Sequence, residues 1–350
     1  MQSQPKNIKP QTGKTSRSNN DTDFCCSTTV TCPLYLEATS VGSTAARSLN
    51  QDRIGQVHSV FTRVVNVLTS GNRLISVVGA DVGNGPINIV TNLPQSMSMT
   101  SIGIRKNHEV LNVDGLMVLG KNILVISTKN AKEWKPQRIF RGGSLLAVKK
   151  IRDNLMTMKE VTCAYGRFGG LAQLIECVEE GRLDKFASRE LNPFARRALP
   201  HLSMLMKTIR AGDYQDIKRS AQELVGFGPG LTPSADDVLS GLMASLTLMS
   251  ENLNIFGDLV SEVNKSIISC IQGRTTLISQ EFLMHAAVGE ANEPIVALIE
   301  KIVTARPNEV EEATKHVLAI GEASGTDVVL GVFLGSWLLL DEVSCLGKRF

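Results

Sequence analysis

The chain has 350 residues, which is long enough for two domains with substantial hydrophobic cores. Apolar residues make up 43% of it and charged residues 20%, the balance of an ordinary globular protein. A formal net charge of only +3 and an aromatic content of 5% argue against a basic, base-stacking surface, so we expect no nucleic-acid partner.

Seven cysteines, at positions 25, 26, 32, 163, 177, 270 and 345, form no regular framework and no CxxC pair. We therefore expect free thiols in a reducing cytoplasm rather than disulfides or a zinc site. The longest apolar run, Val328 to Leu340, is 13 residues long and too short to cross a bilayer. With no secretory signal visible, we expect a cytoplasmic protein with no membrane partner.

The N-terminal part of the chain predicts a tail followed by a β-rich domain. Residues 1–27 are rich in Ser, Asn, Gln, Lys and Thr, which predicts a disordered tail. Residues 28–135 alternate β-branched runs with Gly- and Asn-containing turns, which predicts a small barrel or sandwich-like domain. The predicted strands lie in Val57 to Leu68, Leu74 to Val78, Ile87 to Val90, Val113 to Leu119 and Ile123 to Ser127, with a linker at Lys132 to Pro136.

Residues 136–350 change to helical periodicity and predict a bundle of about eight to ten helices. Apolar stripes run from Leu145 to Met158, from Leu171 to Val178 and from Leu202 to Ile209, and Asp213 can cap the helix that follows. The predicted fold class is therefore α+β, a small β-barrel or sandwich-like domain followed by a multi-helix bundle.

A glycine-rich stretch, Gly226 to Asp237, organises the helical region. Its three glycines and two prolines exclude regular structure, and an apolar helix follows. Thr232 can cap that helix, and Pro233 suits its first position. Because a helix N-terminus attracts anions, we expect backbone amides around Gly228 and Gly230 to approach a small anionic or carbonyl-bearing ligand. The structural alternative is a well-capped turn.

This helix start has a second copy. Ser234 to Met243 aligns with Ser324 to Phe333, ninety residues downstream, and each copy has Ser and Asp three apart, the spacing of a capping box. A glycine four residues after each Asp allows close helix approach. We infer two buried helices packed together, with both N-termini facing one pocket.

Three carboxylates lie at these helix starts. Asp236 and Asp237 are adjacent, so they point about 100° apart on a helix and cannot form one dyad. We favour Asp237 as the pocket-facing group, since Asp327 is its counterpart in the second copy, while Asp236 interacts with the helix end. Alternatively the carboxylates only complement the helix dipoles. Magnesium at the aspartates is a minority alternative; we expect no metal and no cofactor, because no Walker A or dinucleotide motif is present.

A second polar cluster follows at Gly273-Arg274-Thr275-Thr276. Arg274 with Thr275 and Ser279 is typical of a carboxylate- or phosphate-binding fork. Glu281 and His285, four residues apart, share a helical face and predict an acid–base pair or half a metal site. The structural alternative is a helix cap at Thr275 or Thr276, with His285 satisfied by a neighbour on its own helix.

The strings GFGPGLTPSADDVLSGLMA, GRTTLISQEFLMHAAVGE and GEASGTDVVLGVFLG resemble the bacterial AllH family, a subunit of oxamate carbamoyltransferase, and GQVHSVFTRVVNVLTSGNRLISVVGADVGNGP extends the resemblance upstream. It implies a transferase subunit of allantoin and purine catabolism that converts oxalurate plus phosphate to oxamate plus carbamoyl phosphate with other subunits. The pocket would hold a small carbamoyl or ureido acid or phosphate.

Combined with the residues identified above, this function gives the following expected roles. Asp237, Asp327 and Asp236 would be catalytic, and the substrate-binding set would be Gly228, Gly230, Thr232, Ser234, Arg274, Thr275, Ser279 and Ser324. The alternative is a non-catalytic metabolite-binding or scaffolding subunit, favoured by the scarcity of acid–base and nucleophilic residues. A kinase lacks any phosphate-cradling motif here.

Overall fold

A computed structural model describes residues 32–136, 147–178, 183 and 191–346. The predicted tail over residues 1–27 lies outside the described residues, as does the beginning of the first helical stripe at Leu145. The domain boundaries proposed above, at residues 27/28 and 135/136, stay predictions.

The N-terminal region is a mixed β-barrel. Its strands, within the described residues, are β1 (Leu34–Gly42), β2 (Arg53–Val60), β3 (Val64–Thr69), β4 (Leu74–Gly79), β5 (Asn88–Thr91), β6 (Glu109–Val113), β7 (Leu116–Leu119), β8 (Leu124–Ser127) and β9 (Lys132–Trp134). The order β5-β4-β3-β2-β6-β7-β8-β1 closes on itself because β1 pairs with both β8 and β5. A short helix, α1 (Ser43–Ser48), follows β1.

The long strand β1 closes the barrel by changing partners along its length. Residues Leu34 to Glu37 pair in parallel with β8, and Ala38 to Val41 pair antiparallel with β5, with a register irregularity between Ala38 and Ser40. Inside the barrel, β-branched and aliphatic side chains such as Val57, Val67 and Ile75 are fully buried. Full closure leaves the eight strands of this ring without free edges.

Three details of the β region differ from the prediction. The run Val57 to Leu68 is two antiparallel strands, β2 and β3, rather than one. The run Val113 to Leu119 is also divided, because Asp114 and Gly115 have positive φ angles of 51° and 78° and turn the chain between β6 and β7. The predicted linker at Lys132 to Pro136 contains β9, which pairs in parallel with the end of β1.

The second region is helical, and the predicted α+β fold class is confirmed. The described residues contain α2 (Ala147–Tyr165), α3 (Pro193–Ala211), α4 (Tyr214–Gln222), α5 (Ser234–Leu253), α6 (Gly257–Ile268), α7 (Leu277–Ala286), α8 (Glu293–Thr304), α9 (Pro307–Leu318) and α10 (Ser324–Leu346). Asp213 caps α4 as predicted, accepting hydrogen bonds from the N–H groups of Gln215 and Asp216. The stripe from Leu171 to Val178 forms a 3-10 helix, Ala172–Cys177.

None of the helices in the described part of the chain is both long and apolar enough to cross a membrane. The apolar helix α10 instead lies buried against α5.

Helices α5 and α10 run parallel and in close contact along their first turns. A Cβ atom on Gly241 would overlap the carbonyl oxygen of Val328, and a Cβ on Gly331 would overlap that of Val238. These two contacts are related by the ninety-residue repeat, so the pair has an approximate two-fold axis. Glycine at both positions allows the two backbones to touch, and the predicted pairing of these helices is confirmed.

The barrel is joined to the helices by a buried carboxylate. Glu281 on α7 accepts two hydrogen bonds from the Arg73 guanidinium, at 2.7 and 2.8 Å, and a third from the Leu74 N–H at 3.1 Å. The loop before β5 adds a second link, since the Asn84 side chain donates to Glu293 at 2.9 Å. Removing Arg73 would leave the buried Glu281 carboxylate without its charged partner, which is strongly destabilising.

We predict that Gly331→Ala destabilises the protein by about 2 kcal/mol or more, because the new methyl group forces α5 and α10 apart. Urea unfolding monitored by circular dichroism measures the change. Gly257→Ala is the matched control, since a Cβ there meets open space on α6. Equal stability of the Gly331→Ala and wild-type proteins would contradict the proposed close contact.

Candidate functional site

The two repeated helix starts lie side by side. The hydroxyl groups of Thr232, just before α5, and Ser324, the first residue of α10, are 3.0 Å apart. Each serine of the repeat contacts the aspartate of the other copy: Ser324 lies beside Asp237, and Ser234 lies beside Asp327. The spacing of Ser and Asp therefore serves a reciprocal contact between helices. The predicted capping role is wrong for α5, whose N-cap is Pro233 with no side-chain cap.

One half of this arrangement is closed by the chain itself. Asp327 is fully buried, and its Oδ1 accepts hydrogen bonds from the N–H groups of Leu171 and Ala172 at 2.8 and 2.7 Å. Gly170 covers the other oxygen, because a Cβ at that position would overlap Asp327 Oδ2 and the Ser234 hydroxyl. Among the described residues, Oδ2 accepts no hydrogen bond of normal geometry, although Ser234 lies beside it.

The other half is covered less completely. Asp237 is also buried, with 7% of its surface exposed, but its neighbours Thr232 and Ser324 are only half-buried. The Thr232 hydroxyl donates to Asp237 Oδ2 at 3.1 Å. Asp327 is bonded to two backbone N–H groups, whereas Asp237 lies beside the hydroxyl groups of Thr232 and Ser324. These two hydroxyl groups also contact each other. We call Asp237, Thr232 and Ser324 the open half of the site.

Burial raises the pKa of both repeated carboxyl groups. It raises the pKa of Asp327 to about 6, although the neighbouring Ser234 hydroxyl and the Leu171 and Ala172 N–H groups favour the charged form. Burial also raises the pKa of Asp237 well above its ordinary value, and repulsion from Asp327 and Asp236 adds to this effect. The open half therefore holds a carboxyl group that can give up or take a proton.

Asp236 connects three parts of the chain rather than facing the open half. Its Oδ1 accepts the Gly226 N–H at 2.8 Å, and its Oδ2 accepts the hydroxyl of Thr275. The Ser279 hydroxyl also lies beside it, and burial raises its pKa. The catalytic role for Asp236 and the substrate-binding roles for Thr275 and Ser279 stay predictions; the observed contacts tie the glycine-rich loop to the start of α7.

The N–H groups of the first residues of α5 and α10 are hydrogen-bonded within the chain. In α5, the Ala235 N–H donates to Phe227 O at 2.9 Å, and those of Asp236 and Asp237 donate to Pro233 O. The corresponding groups of α10, residues 325–327, also donate to carbonyl oxygens of the preceding turn. Side chains, more than free amides, give the open half its chemistry.

The predicted glycines lie in the loop before α5. Gly228 has a φ of 118° and packs on the backbone of Ser234, where a side chain would collide. Gly230 has a φ of 95° at the exposed tip of the loop. Their substrate-binding roles stay predictions.

Arg274 and His285 do not reach the open half. The Arg274 guanidinium is exposed and donates to Gln222 O at 3.3 Å, on the side of α5 where Asp236 lies. Thr276 caps α7 by accepting the Ser279 N–H, as one alternative predicted. His285 is 2.8 Å from Glu290 and 3.8 Å from Glu281, so it belongs to the joint between barrel and helices.

The sequence analysis missed the segment that closes the site, Gly166 to Ala172. It supplies the two N–H donors to Asp327, and its Arg167 N–H donates to the Thr326 hydroxyl at 3.1 Å. The signal was three glycines, at 166, 169 and 170, between two apolar stripes. Within the described ranges, no three His, Cys, Asp or Glu side chains are grouped so as to hold a metal ion.

Two family models match parts of this chain. Residues 224–336, which contain the glycine-rich loop and both helix starts, match the family described as oxamate carbamoyltransferase subunit AllH. Residues 37–133, which contain most of the barrel, match the AllH family N-terminal domain. Together the matches cover more than half of the chain. The chain belongs to the AllH family.

Membership of the AllH family points to a subunit of an oxamate carbamoyltransferase, an enzyme of purine catabolism, and the word subunit implies a multi-subunit complex. No solved structure matches the chain significantly.

We predict that the Asp327→Asn variant keeps the fold, and that its free energy of unfolding depends on pH differently from that of the wild type. In the wild type the unfolded Asp327 ionises near pH 4 and the folded one near pH 6, so stability is lost as the pH rises through this interval, by about 3 kcal/mol. Asparagine keeps the Oδ1 acceptor and carries no charge.

Urea unfolding of both proteins between pH 4 and pH 7 measures this difference. The stability of the Asn variant relative to wild type should rise with pH. A constant difference across the interval would show that Asp327 does not titrate in this way.

Proposed function

We propose that this AllH-family chain binds the carbamoyl or amide end of a small acid in the open half, as the substrate-binding and catalytic subunit of an oxamate carbamoyltransferase. The reaction is oxalurate plus phosphate to oxamate plus carbamoyl phosphate. Other subunits of the same cytoplasmic enzyme are its partners, and no cofactor takes part in the proposal.

The observation that carries the proposal is the difference between the two halves of the repeat. In the closed half, one oxygen of Asp327 accepts hydrogen bonds from two consecutive backbone N–H groups, those of Leu171 and Ala172. The repeat relates Asp237 to Asp327, and no backbone N–H group among the described residues is bonded to Asp237 in the way that Leu171 and Ala172 are bonded to Asp327. A ligand with N–H donors, such as a primary amide or a ureido group, matches this acceptor.

The raised pKa of Asp237 suits the proton transfer that the reaction requires. A phosphate oxygen attacks the ureido carbonyl carbon, a new C–O bond forms, and the C–N bond to the oxamate nitrogen breaks. That nitrogen takes up a proton as it leaves, and a protonated Asp237 beside it supplies the proton. In the reverse direction the same carboxylate accepts a proton from the amide nitrogen.

A non-catalytic binding subunit is the second candidate, and one observation favours it. Among the described residues, the groups that shift the pKa of Asp237 include two other carboxylates and no Lys or Arg. Phosphate is usually held by cationic side chains. If a partner subunit supplies them, the phosphate and the attack on the carbonyl belong to that partner.

The test is turnover of oxalurate and phosphate by the complex assembled from wild-type or Asp237→Asn subunits. We predict that Asp237→Asn lowers kcat/KM by about 100-fold or more, because it removes the proton-transferring group. Asp216→Asn is the matched control, since Asp216 pairs with Arg219 on the exposed face of α4.

Assembly is checked by size-exclusion chromatography of each complex. Unchanged turnover with Asp237→Asn in an intact complex would reject the catalytic role and favour the binding subunit. Loss of assembly with Asp237→Asn alone would instead indicate a structural role.

A further inference from the structure

We infer that Arg167 binds the anionic end of the ligand whose amide end occupies the open half; this inference rests on the proposed function. It replaces Arg274, which the sequence favoured, as the carboxylate- or phosphate-binding group. The inference concerns the carboxylate of oxamate in particular, because that group lies directly beside the amide that Asp237 would hold.

Arg167 is exposed but held firmly at one end. Its backbone N–H donates to the Thr326 hydroxyl at 3.1 Å, and Thr326 lies in the first turn of α10. One guanidinium nitrogen donates to Gly321 O at 2.9 Å. No other hydrogen bond of this guanidinium is formed with the described residues, so most of its five N–H donors face solvent.

Gly321, which accepts the hydrogen bond from the Arg167 guanidinium, contacts a residue of the open half. Gly321 has a φ of 61° and packs on Ser324, whose hydroxyl would be 3.5 Å from a Cβ at position 321. Ser324 in turn contacts both Thr232 and Asp237. Two residues, Gly321 and Ser324, therefore connect the guanidinium to the Asp237 carboxyl group.

This separation fits a ligand with two different ends. The Arg167 guanidinium is hydrogen-bonded to Gly321 O, and the Asp237 carboxyl group is bonded to Thr232, so the two groups are held separately. The inferred ligand would span them, with N–H donors toward Asp237 and a carboxylate toward the guanidinium. A planar guanidinium binds a carboxylate through two parallel hydrogen bonds, which fixes orientation as well as affinity.

Two other exposed arginines near the site are held differently. Arg274 donates to Gln222 O, and the adjacent Thr275 bonds to Asp236 rather than Asp237. The Arg197 guanidinium stacks over the Phe227 ring at 5.5 Å from its centroid, on the first part of the glycine-rich loop. Arg167, by contrast, is hydrogen-bonded to the turn that precedes α10.

The test compares two ligands of nearly the same shape, oxamate and the neutral diamide oxamide, on the full-length chain. Isothermal titration calorimetry gives their affinities for the wild type, Arg167→Ala, Arg167→Lys and the control Arg274→Ala. We expect Arg167→Ala to weaken oxamate by about 10- to 100-fold, as for a lost charge-assisted hydrogen bond. Its affinity for oxamide should be unchanged.

The other two variants serve as controls. Arg167→Lys should give an intermediate loss for oxamate, since the charge remains without the fork, and Arg274→Ala should change neither ligand. Wild-type affinity of Arg167→Ala for oxamate would overturn the inference and leave the proposed function standing. Equal loss for oxamate and oxamide would also overturn it, because Arg167 would then only anchor the loop. If the wild type binds neither compound, the site itself is rejected, and Arg167 with it.

Discussion

The close contact between α5 and α10 is the constraint on which the rest of the structure depends. Gly241 and Gly331 allow the two backbones to touch, and the parallel direction of the helices then brings both first turns together. Only at this distance can each serine of the repeat reach the aspartate of the other copy. Larger residues at the glycines would separate the helices and with them the carboxyl groups, so the packing and the site are one feature.

The two halves of the repeat differ in the residues that cover their carboxyl groups. One carboxyl group is covered by the Gly170 segment and bonded to backbone N–H groups, and the other is 7% exposed and lies beside the half-buried Thr232 and Ser324. Burying a carboxyl group disfavours its charged form, so both are held at a cost to folding. Carboxyl groups whose pKa is raised by burial are concentrated at functional sites.

The helices and strands could be predicted from the sequence, but the hydrogen-bond partners of the site residues could not. The repeat predicted the helix pair because apolar periodicity and glycine spacing are local properties, and β-branched runs predicted the barrel for the same reason. The Ser–Asp spacing suggested local caps, whereas the bonds run between helices ninety residues apart, which no local pattern distinguishes. The covering segment with Arg167 was missed because its contacts are also long-range, and the turn at Asp114-Gly115 was overlooked within an apolar run.

A crystal structure of the chain with oxamate tests the central claim most directly. The account predicts the amide nitrogen within hydrogen-bond distance of an Asp237 oxygen, about 2.9 Å. The ligand should lie over Asp237 as the backbone of Leu171 and Ala172 lies over Asp327. Oxamate bound away from Asp237, with the open half filled only by water, would contradict it.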